Sequence, residues 1–170
     1  MLAKQHAEFI TITCLNWAPI LKDDVFKDII TNSLSFLSKA DKIAVYGFVI
    51  MNNHFHLIWQ ILNDHIREDV QRDFLKFTSQ QILKHLRNAD SPLLDDLFVG
   101  AKDRRYQLWE RNSLSIPLWS AGVFEQKLSY IHSNPVKAGL CQYQEDYKYS
   151  SAEFYDKNIN RWDFLVHHEG

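Results

Sequence analysis

Cysteine, proline and glycine are all scarce in this chain, and each shortage excludes a class of protein. The two cysteines, Cys14 and Cys141, stand in no metal-ligand spacing and are too few for a disulfide framework, so we expect reduced thiols. Five glycines and four prolines among 170 residues leave little room for long flexible linkers. Hydrophobic residues make up 46% and aromatic residues 14% of the chain, which favours a folded domain over disorder.

Long apolar runs and an excess of positive charge are also absent. No stretch of about 18 apolar residues exists to cross a membrane, and residues 1–6 lack the apolar centre of a signal peptide. We therefore expect a cytoplasmic protein with no membrane partner. The net charge of −2 argues against a uniformly basic surface that grips nucleic acid by counterion release, although a local basic stretch can still do so.

Apolar periodicity along the chain predicts an α+β fold. Runs rich in β-branched and apolar residues predict strands at residues 9–14, 43–50, 54–61 and 106–110. Helical spacing of apolar residues predicts helices after Asp23 or Asp24, at about 67–86, at 121–133 and after Ser151. This order is that of a ferredoxin-like antiparallel sheet with helices packed on one face, followed by a C-terminal helical extension.

The whole chain, residues 1–170, is predicted to be one domain with a core at about 8–134 and an extension at about 135–170. Pro135 is expected to end the late helix because proline cannot continue the hydrogen-bond ladder. Residues 150–153 (SSAE) form a capping-box pattern that predicts the start of a final helix. The terminal pair His167-His168 is expected to be disordered.

The segment from residue 51 to residue 59, MNNHFHLIW, is the most informative part of the chain. Side chains alternate faces along a strand, so His54 and His56 point the same way. Two imidazoles on one face can bind a single metal ion. On these residues alone, two ordinary histidines on a polar face are the alternative, and it stays open.

A tyrosine and an amide lie one helical turn apart in the predicted late helix. Tyr130 and Asn134 therefore share one helix face. An amide oxygen is a hard ligand suited to Mg²⁺ or Mn²⁺, and a metal that polarises a phosphate assists attack by a phenol. Together with the histidine pair, this pattern suggests a metal-assisted tyrosine nucleophile acting on a phosphodiester. Taken without the histidines, Tyr130 is an interfacial aromatic residue and Asn134 a helix cap.

Basic residues near these motifs are candidates for binding DNA phosphates. The candidates are Lys102, Arg104, Arg105, Arg111 and Lys137. Tyr106 and Trp109 are interleaved with the first four and are candidates for stacking on unpaired bases. A solvated loop and edge strand is the alternative interpretation of this region.

The two motifs together resemble those of the single-tyrosine transposases of the HUH nuclease superfamily, and most closely the REP-associated tyrosine transposases. The resemblance is carried by residues 49–57 (VIMNNHFHL), 130–140 (YIHSNPVKAGL) and 149–152 (YSSA). The predicted order of elements between these segments fits as well. The resemblance therefore covers most of the chain and implies one HUH transposase-like domain.

The resemblance implies a role for each motif residue. His54 and His56 would bind a divalent cation, Mg²⁺ or Mn²⁺, and Asn134 would complete the metal site. Tyr130 would be the nucleophile that cleaves and rejoins single-stranded DNA near hairpins, through a 5′-phosphotyrosine and a free 3′-hydroxyl. Relatives include monomers and homodimers that exchange the tyrosine helix, so both oligomeric states are compatible with the resemblance.

Departures from the family pattern motivate alternatives. Asn52 stands where the family usually has proline, and residues 16–19 replace an expected arginine-containing turn. With the low net charge, these departures suggest a domesticated, catalytically silent protein that binds structured nucleic acid. A metal-dependent hydrolase that uses water is disfavoured, because neither motif contains a carboxylate to serve as general base.

Overall fold

The computed structural model of the protein describes residues 5–169. Within this range the strands are β1 (Glu8–Thr13), β2 (Ile43–Ile50), β3 (His54–Ile61) and β4 (Leu114–Pro117). They form one sheet in the order β2-β3-β1-β4, and every neighbouring pair is antiparallel. The predicted α+β architecture with a ferredoxin-like sheet is confirmed.

The helices lie on both faces of this sheet. They are α1 (Asp24–Lys39), α2 (Arg67–Asn88), the short α3 (Leu93–Asp96), α4 (Ala121–Lys137) and α5 (Ala152–Lys157). The crossover helices α1 and α2 pack on one face, as expected, whereas α4 crosses the opposite face. No helix within residues 5–169 is long and apolar enough to span a bilayer.

Alternation along the central strands explains the two faces. Ile10 and Ile12 of β1 join the large apolar core beneath α1 and α2. Phe9 points the other way and packs with Ile58 of β3 against α4. His54 and His56 have the same parity as Ile58 in β3, so they face the side of the sheet on which α4 lies.

Gly47 allows α4 to approach the sheet closely. It lies at a register shift in β2, where the pairing with β3 slips between Val45 and Gly47. A Cβ atom at Gly47 would lie 2.7 Å from Leu128 Cδ1 and 3.3 Å from Ile131 Cδ1. The absent side chain therefore sets the height of α4 above β2.

The predicted fourth strand at residues 106–110 is wrong. The strand that pairs with β1 is Leu114–Pro117, whereas Trp109 forms an isolated bridge with Cys14 beyond the end of β1. The 106–110 segment contains Leu108 and Trp109, which are buried in the core without belonging to a strand, while the true edge strand is short and mostly exposed. The apolar composition of the segment therefore resembled that of a strand.

Helix α4 does not end before Pro135, contrary to expectation. Pro135 lies in its last turn, where the missing N–H removes one hydrogen bond without stopping the helix. The end comes at Gly139, whose φ of +73° closes a Schellman motif. In that motif the Leu140 N–H donates to Pro135 O at 2.9 Å, and the Gly139 N–H donates to Val136 O at 3.0 Å.

The C-terminal segment packs back onto the sheet. The Ile50 N–H donates to Tyr149 O at 2.9 Å, and Leu165 is buried in the core beneath α1 and α2. The predicted capping-box segment lies at the start of α5, where the Ser150 hydroxyl accepts from the Ala152 N–H at 3.1 Å. Ser151 precedes the helix without capping it through its side chain. Its hydroxyl instead accepts from the Phe48 N–H at 3.0 Å and bonds His132 Nε2 at 2.8 Å, which ties the segment to β2 and α4.

Two smaller expectations have different outcomes. Cys14 and Cys141 are both free thiols, as expected, and burial raises the pKa of Cys14 to about 12. His168 is not disordered: its ring stacks on Phe124 with centroids 4.9 Å apart, and its Nε2 lies 2.6 Å from Glu125 Oε1.

Candidate active site

Strand β3 brings its two histidines side by side on the α4 face. The ring centroids of His54 and His56 are 4.8 Å apart. Thr11, the cross-strand partner of His56, places its Oγ1 2.8 Å from His56 Nδ1. Asn53 Oδ1 lies 2.7 Å from His54 Nδ1. When each Nδ1–H donates to these oxygens, each Nε2 carries a free lone pair, which is the form that ligates a metal.

Burial keeps both imidazoles neutral at pH 7. His56 is only 4% exposed, and its Nε2 is buried with no hydrogen-bond partner. Burial lowers the pKa of His56 to about 3, and the nearby positive charges of His54 and Lys127 act in the same direction. Burial also lowers the pKa of His54. A buried, neutral nitrogen without a partner is unusual in a folded protein and fits a ligand position.

Helix α4 carries Tyr130 to these histidines. The ring centroids of Tyr130 and His56 are 5.5 Å apart, and the Tyr130 ring meets Phe9 edge-on at 6.2 Å. The Tyr130 side chain is 46% exposed, so a substrate can reach the phenol. The phenol and the imidazoles meet within a single chain, as a site that acts in cis requires.

Asn134 lies one turn beyond Tyr130 on the same helix face. Its Nδ2 is buried and has no hydrogen-bond partner. A rotation of the amide by 180° exchanges nitrogen and oxygen, which would put an acceptor oxygen at this buried position. His132, by contrast, is buried on the other side of α4 against Ser151 and is not available as a ligand.

His54, His56 and Asn134 are the side chains here that could hold a divalent cation. Within residues 5–169 no group of three or more histidine, cysteine, aspartate and glutamate side chains is arranged to bind a metal. Two imidazoles and one amide oxygen form an incomplete ligand set for Mg²⁺ or Mn²⁺, with positions left for phosphate oxygens and water. The unpartnered Nε2 of His56 is the observation that fits such a site.

Lys127 also faces the site, although it is not among the residues predicted to bind DNA. It lies three residues before Tyr130, so the two side chains are neighbours on α4. Lys127 Nζ is 5.1 Å from the ring centroid of Phe9 and 6.0 Å from that of Tyr130. Its spacing from Tyr130 along the predicted helix could have shown that Lys127 lies near the phenol.

The turn after β1 closes one side of the histidine pair. Trp17 meets His54 edge-on, with ring centroids 6.1 Å apart. Asn16 and Trp17 both have positive φ angles, 53° and 56°, which are costly for residues with a side chain. The Asn16 N–H donates to Glu110 Oε1 at 2.7 Å, which holds the turn in place.

The predicted DNA-binding residues are not equivalent. Arg104 is committed within the protein, because it pairs with Asp103 at 2.9 Å and donates to Gln107 Oε1 at 2.9 Å. Arg105 is exposed, and its Cζ lies 5.5 Å from the Tyr106 ring centroid. Arg87 of α2, which the sequence analysis missed, lies at the same distance from that ring.

The other basic candidates lie at the surface. Lys102 and Arg111 are exposed in the segment before β4, and Lys137 is exposed in the last turn of α4. Trp109 is buried and donates its Nε1–H to Leu75 O at 3.2 Å, so it cannot stack on a base as predicted. Trp119 is 70% exposed and contacts His6, which makes it the better candidate for stacking.

The fold of this chain is similar to that of known proteins, although its sequence is not. Neither a protein-family model nor a curated protein matches the sequence. Among solved structures, a REP-associated tyrosine transposase bound to a REP hairpin matches with a TM-score of 0.66 and 15% identity, over 96% of this chain and 87% of that one. The chain has the fold of the REP-associated tyrosine transposases.

A second solved structure supports the same fold. A candidate transposase from Deinococcus radiodurans R1 matches with a TM-score of 0.52 and 13% identity, over 76% of this chain and 90% of that one. At these identities the likeness concerns the fold. The resemblance to REP-associated tyrosine transposases that the two sequence motifs indicate is confirmed for the fold. The roles of His54, His56, Tyr130 and Asn134 stay predictions.

Proposed function

We propose that the protein is a metal-dependent single-stranded DNA endonuclease and strand transferase that acts at hairpin-bearing DNA. The observation that carries this proposal is the meeting of Tyr130 with His56, with ring centroids 5.5 Å apart in one chain. The likeness in fold to a transposase bound to a REP hairpin supports hairpin DNA as the substrate.

Tyr130 is the nucleophile in the proposed reaction. Its phenolic oxygen attacks the phosphorus, a tyrosyl O–P bond forms, and the bond from phosphorus to the 3′ oxygen breaks. The phenol loses its proton to water and the departing 3′ oxygen takes up a proton, so atoms and charge balance. The products are a 5′-phosphotyrosine and a free 3′-hydroxyl, and attack by that hydroxyl rejoins the strand without ATP.

His54, His56 and Asn134 would hold Mg²⁺ or Mn²⁺. When bound, such a cation offsets the negative charge of the phosphate and polarises it towards attack. Thr11 and Asn53 hydrogen-bond the Nδ1 atoms and so keep both Nε2 atoms directed into the site. A site built on a paired strand and a packed helix holds its reacting groups more rigidly than one built on loops.

Contacts to the DNA backbone are assigned to exposed basic side chains. Lys102, Arg105, Arg111 and Lys137 are exposed at the surface. Arg104 stays a candidate, although it would have to exchange its ion pair with Asp103 for one with a phosphate. With a net charge of −2, binding would depend on these local groups and weaken steeply with salt.

The test is covalent capture of DNA by the protein. Because the protein would attach to a 5′ phosphate, a pool of 3′-labelled hairpin oligonucleotides with randomised single-stranded flanks is incubated with Mn²⁺ or with chelator. We expect a labelled adduct on denaturing gels with Mn²⁺, and none with Tyr130→Phe, while hairpin affinity is unchanged. Tyr143→Phe, which removes another exposed phenol, is the matched control. An adduct that persists in Tyr130→Phe would remove Tyr130 from the role.

A catalytically silent binder of structured nucleic acid is the second candidate. It is favoured by one observation: within residues 5–169 no three histidine, cysteine, aspartate or glutamate side chains are grouped so that they could bind a metal. This candidate predicts hairpin binding that does not depend on Mn²⁺ and no adduct under any condition. The same labelled pool, analysed in parallel on native and denaturing gels, distinguishes the two.

A further inference from the structure

We propose that Lys127 binds a non-bridging oxygen of the scissile phosphate and stabilises the transition state of strand transfer, an assignment that rests on the proposed function. Lys127 is partly buried on α4, one turn before the nucleophile. Its ammonium lies 6.0 Å from the Tyr130 ring centroid. A phosphate under attack by the phenol must therefore come close to this charge.

Lys127 has no acidic partner in the part of the chain that the structure describes. None of the ion pairs among residues 5–169 includes Lys127. Lys27, a buried lysine in α1, shows the usual arrangement: its Nζ donates to Lys22 O at 2.8 Å and lies 3.6 Å from Asp24 Oδ1. A partly desolvated ammonium without such partners is suited to an anion that arrives with the substrate.

Aromatic contact holds the ammonium in place. Lys127 Nζ lies 5.1 Å from the Phe9 ring centroid, within the range of a cation–π interaction. Phe9 is itself buried on the α4 face of the sheet. The lysine is therefore directed over the sheet beside His56, whose pKa its positive charge helps to lower.

The chemistry requires positive charge at this point. A cation held by His54, His56 and Asn134 would offset part of the charge of the phosphate, and the ammonium of Lys127 would offset a further part. As the phenolic oxygen bonds to phosphorus, negative charge increases on the non-bridging oxygens. A hydrogen bond from the ammonium to one of them strengthens in the transition state, which accelerates the reaction rather than merely tightening binding.

Three substitutions separate this role from a structural one. Lys127→Met keeps the aliphatic contact with Phe9 but loses the charge, Lys127→Gln loses the charge and keeps polarity, and Lys127→Arg keeps the charge. Lys84→Gln is the control, because Lys84 is an exposed lysine of α2 on the opposite face of the sheet. Adduct formation at saturating hairpin, rejoining from the purified adduct, hairpin affinity and thermal unfolding are measured for each variant.

We expect Lys127→Met and Lys127→Gln to slow adduct formation by roughly 100- to 1000-fold, the size of effect seen when a group that stabilises transition-state charge is lost. Rejoining should slow by the same factor, because both directions share one transition state. Hairpin affinity should stay within about twofold, since other basic groups would supply most of the binding. Lys127→Arg should recover most of the rate, and Lys84→Gln should match the wild type.

The proposal is overturned if Lys127→Met forms adduct at the wild-type rate, because packing would then be the whole role of the side chain. It is also overturned if cleavage slows while rejoining does not, or if the loss of rate is matched by a loss of hairpin affinity. If the wild type forms no adduct, the proposed function fails and the assignment of Lys127 fails with it. A wild-type adduct with an unaffected Lys127→Met variant removes Lys127 alone.

Discussion

The two faces of the sheet bury their side chains in different ways. The face under α1 and α2 is a continuous apolar core that includes Ile10, Phe55 and Trp59. The face under α4 has a smaller apolar cluster centred on Phe9 and Ile58, beside which polar side chains lie partly buried. The first face therefore supplies most of the apolar burial, while the second leaves the proposed site partly open to solvent. The incompletely apolar face is the one that collects the imidazoles and the phenol.

Substitutions at two adjacent residues of β3 should have the largest effects and should distinguish the two faces of the sheet. Phe55 is fully buried on the α1–α2 face, and His56 faces α4. Phe55→Ala should lower the free energy of unfolding by about 3–5 kcal/mol, since it leaves a large cavity. His56→Ala should cost less stability, because the imidazole is smaller than a phenyl ring and only its Nδ1 has a hydrogen-bond partner, Thr11. It should nevertheless abolish the Mn²⁺-dependent adduct.

Urea unfolding and the adduct assay on the same two variants provide the measurement. Equal losses of stability would contradict the division between the faces. An active His56→Ala variant would contradict the proposed metal site.

Gly47→Ala tests how the α4 face is positioned. The added methyl group would lie 2.7 Å from Leu128 Cδ1, so α4 must shift or repack. We expect a loss of about 1–3 kcal/mol of stability, as for overpacking in other cores. Adduct formation should fall further than stability predicts, because the shift moves Tyr130 relative to His56. Ala44→Gly, which removes a methyl group elsewhere in β2, is the control. A stable Gly47→Ala variant with wild-type activity would show that α4 tolerates displacement.

The pH dependence of stability gives the smallest effect. His132 is buried under α4, and burial lowers its pKa from the ordinary value of 6.5 to about 4. Below pH 6.5 the unfolded chain takes up a proton that the folded chain resists, so stability falls as the pH decreases towards 4. Between pH 7 and pH 6 the loss should be roughly 0.7 kcal/mol for this one histidine.

The contribution of His132 to the pH dependence of stability is measured from urea midpoints. The wild type and His132→Gln are compared at pH 7 and at pH 6. The variant should lose less stability over that interval. A midpoint difference between the two proteins that is the same at both pH values would contradict a neutral buried His132.

Strongly periodic segments could be predicted from the sequence, and short or exposed ones could not. The strands at 43–50 and 54–61 and the helix at about 67–86 were predicted closely, because their apolar patterns are long and local. Strand β4 has four residues with mostly exposed side chains, so it carries little signal of its own. Pro135 misled the prediction of the end of α4, because proline is tolerated in the last turn when a glycine closes the helix just beyond it.

The candidate site, too, could be predicted only where its residues lie within one helix or strand. His54 with His56, and Tyr130 with Asn134, could be paired from spacing alone, because each pair lies within one element. Thr11 could not be predicted as the partner of His56, since that contact depends on the register between β1 and β3. The ion pair that neutralises Arg104 and the burial of Trp109 likewise follow from packing.

The sequence by itself determined the order of the main elements and the family that the motifs resemble. It also determined that His54 and His56 share one face of their strand and that Tyr130 and Asn134 share one face of their helix. These are consequences of local periodicity, which a chain carries wherever it folds. Only the tertiary structure decided that α4 lies on the face opposite α1 and α2, that Tyr130 meets His56 in one chain, and that Lys127 lies beside both. Those outcomes depend on contacts between segments far apart in the chain, and such contacts are set by strand register and packing.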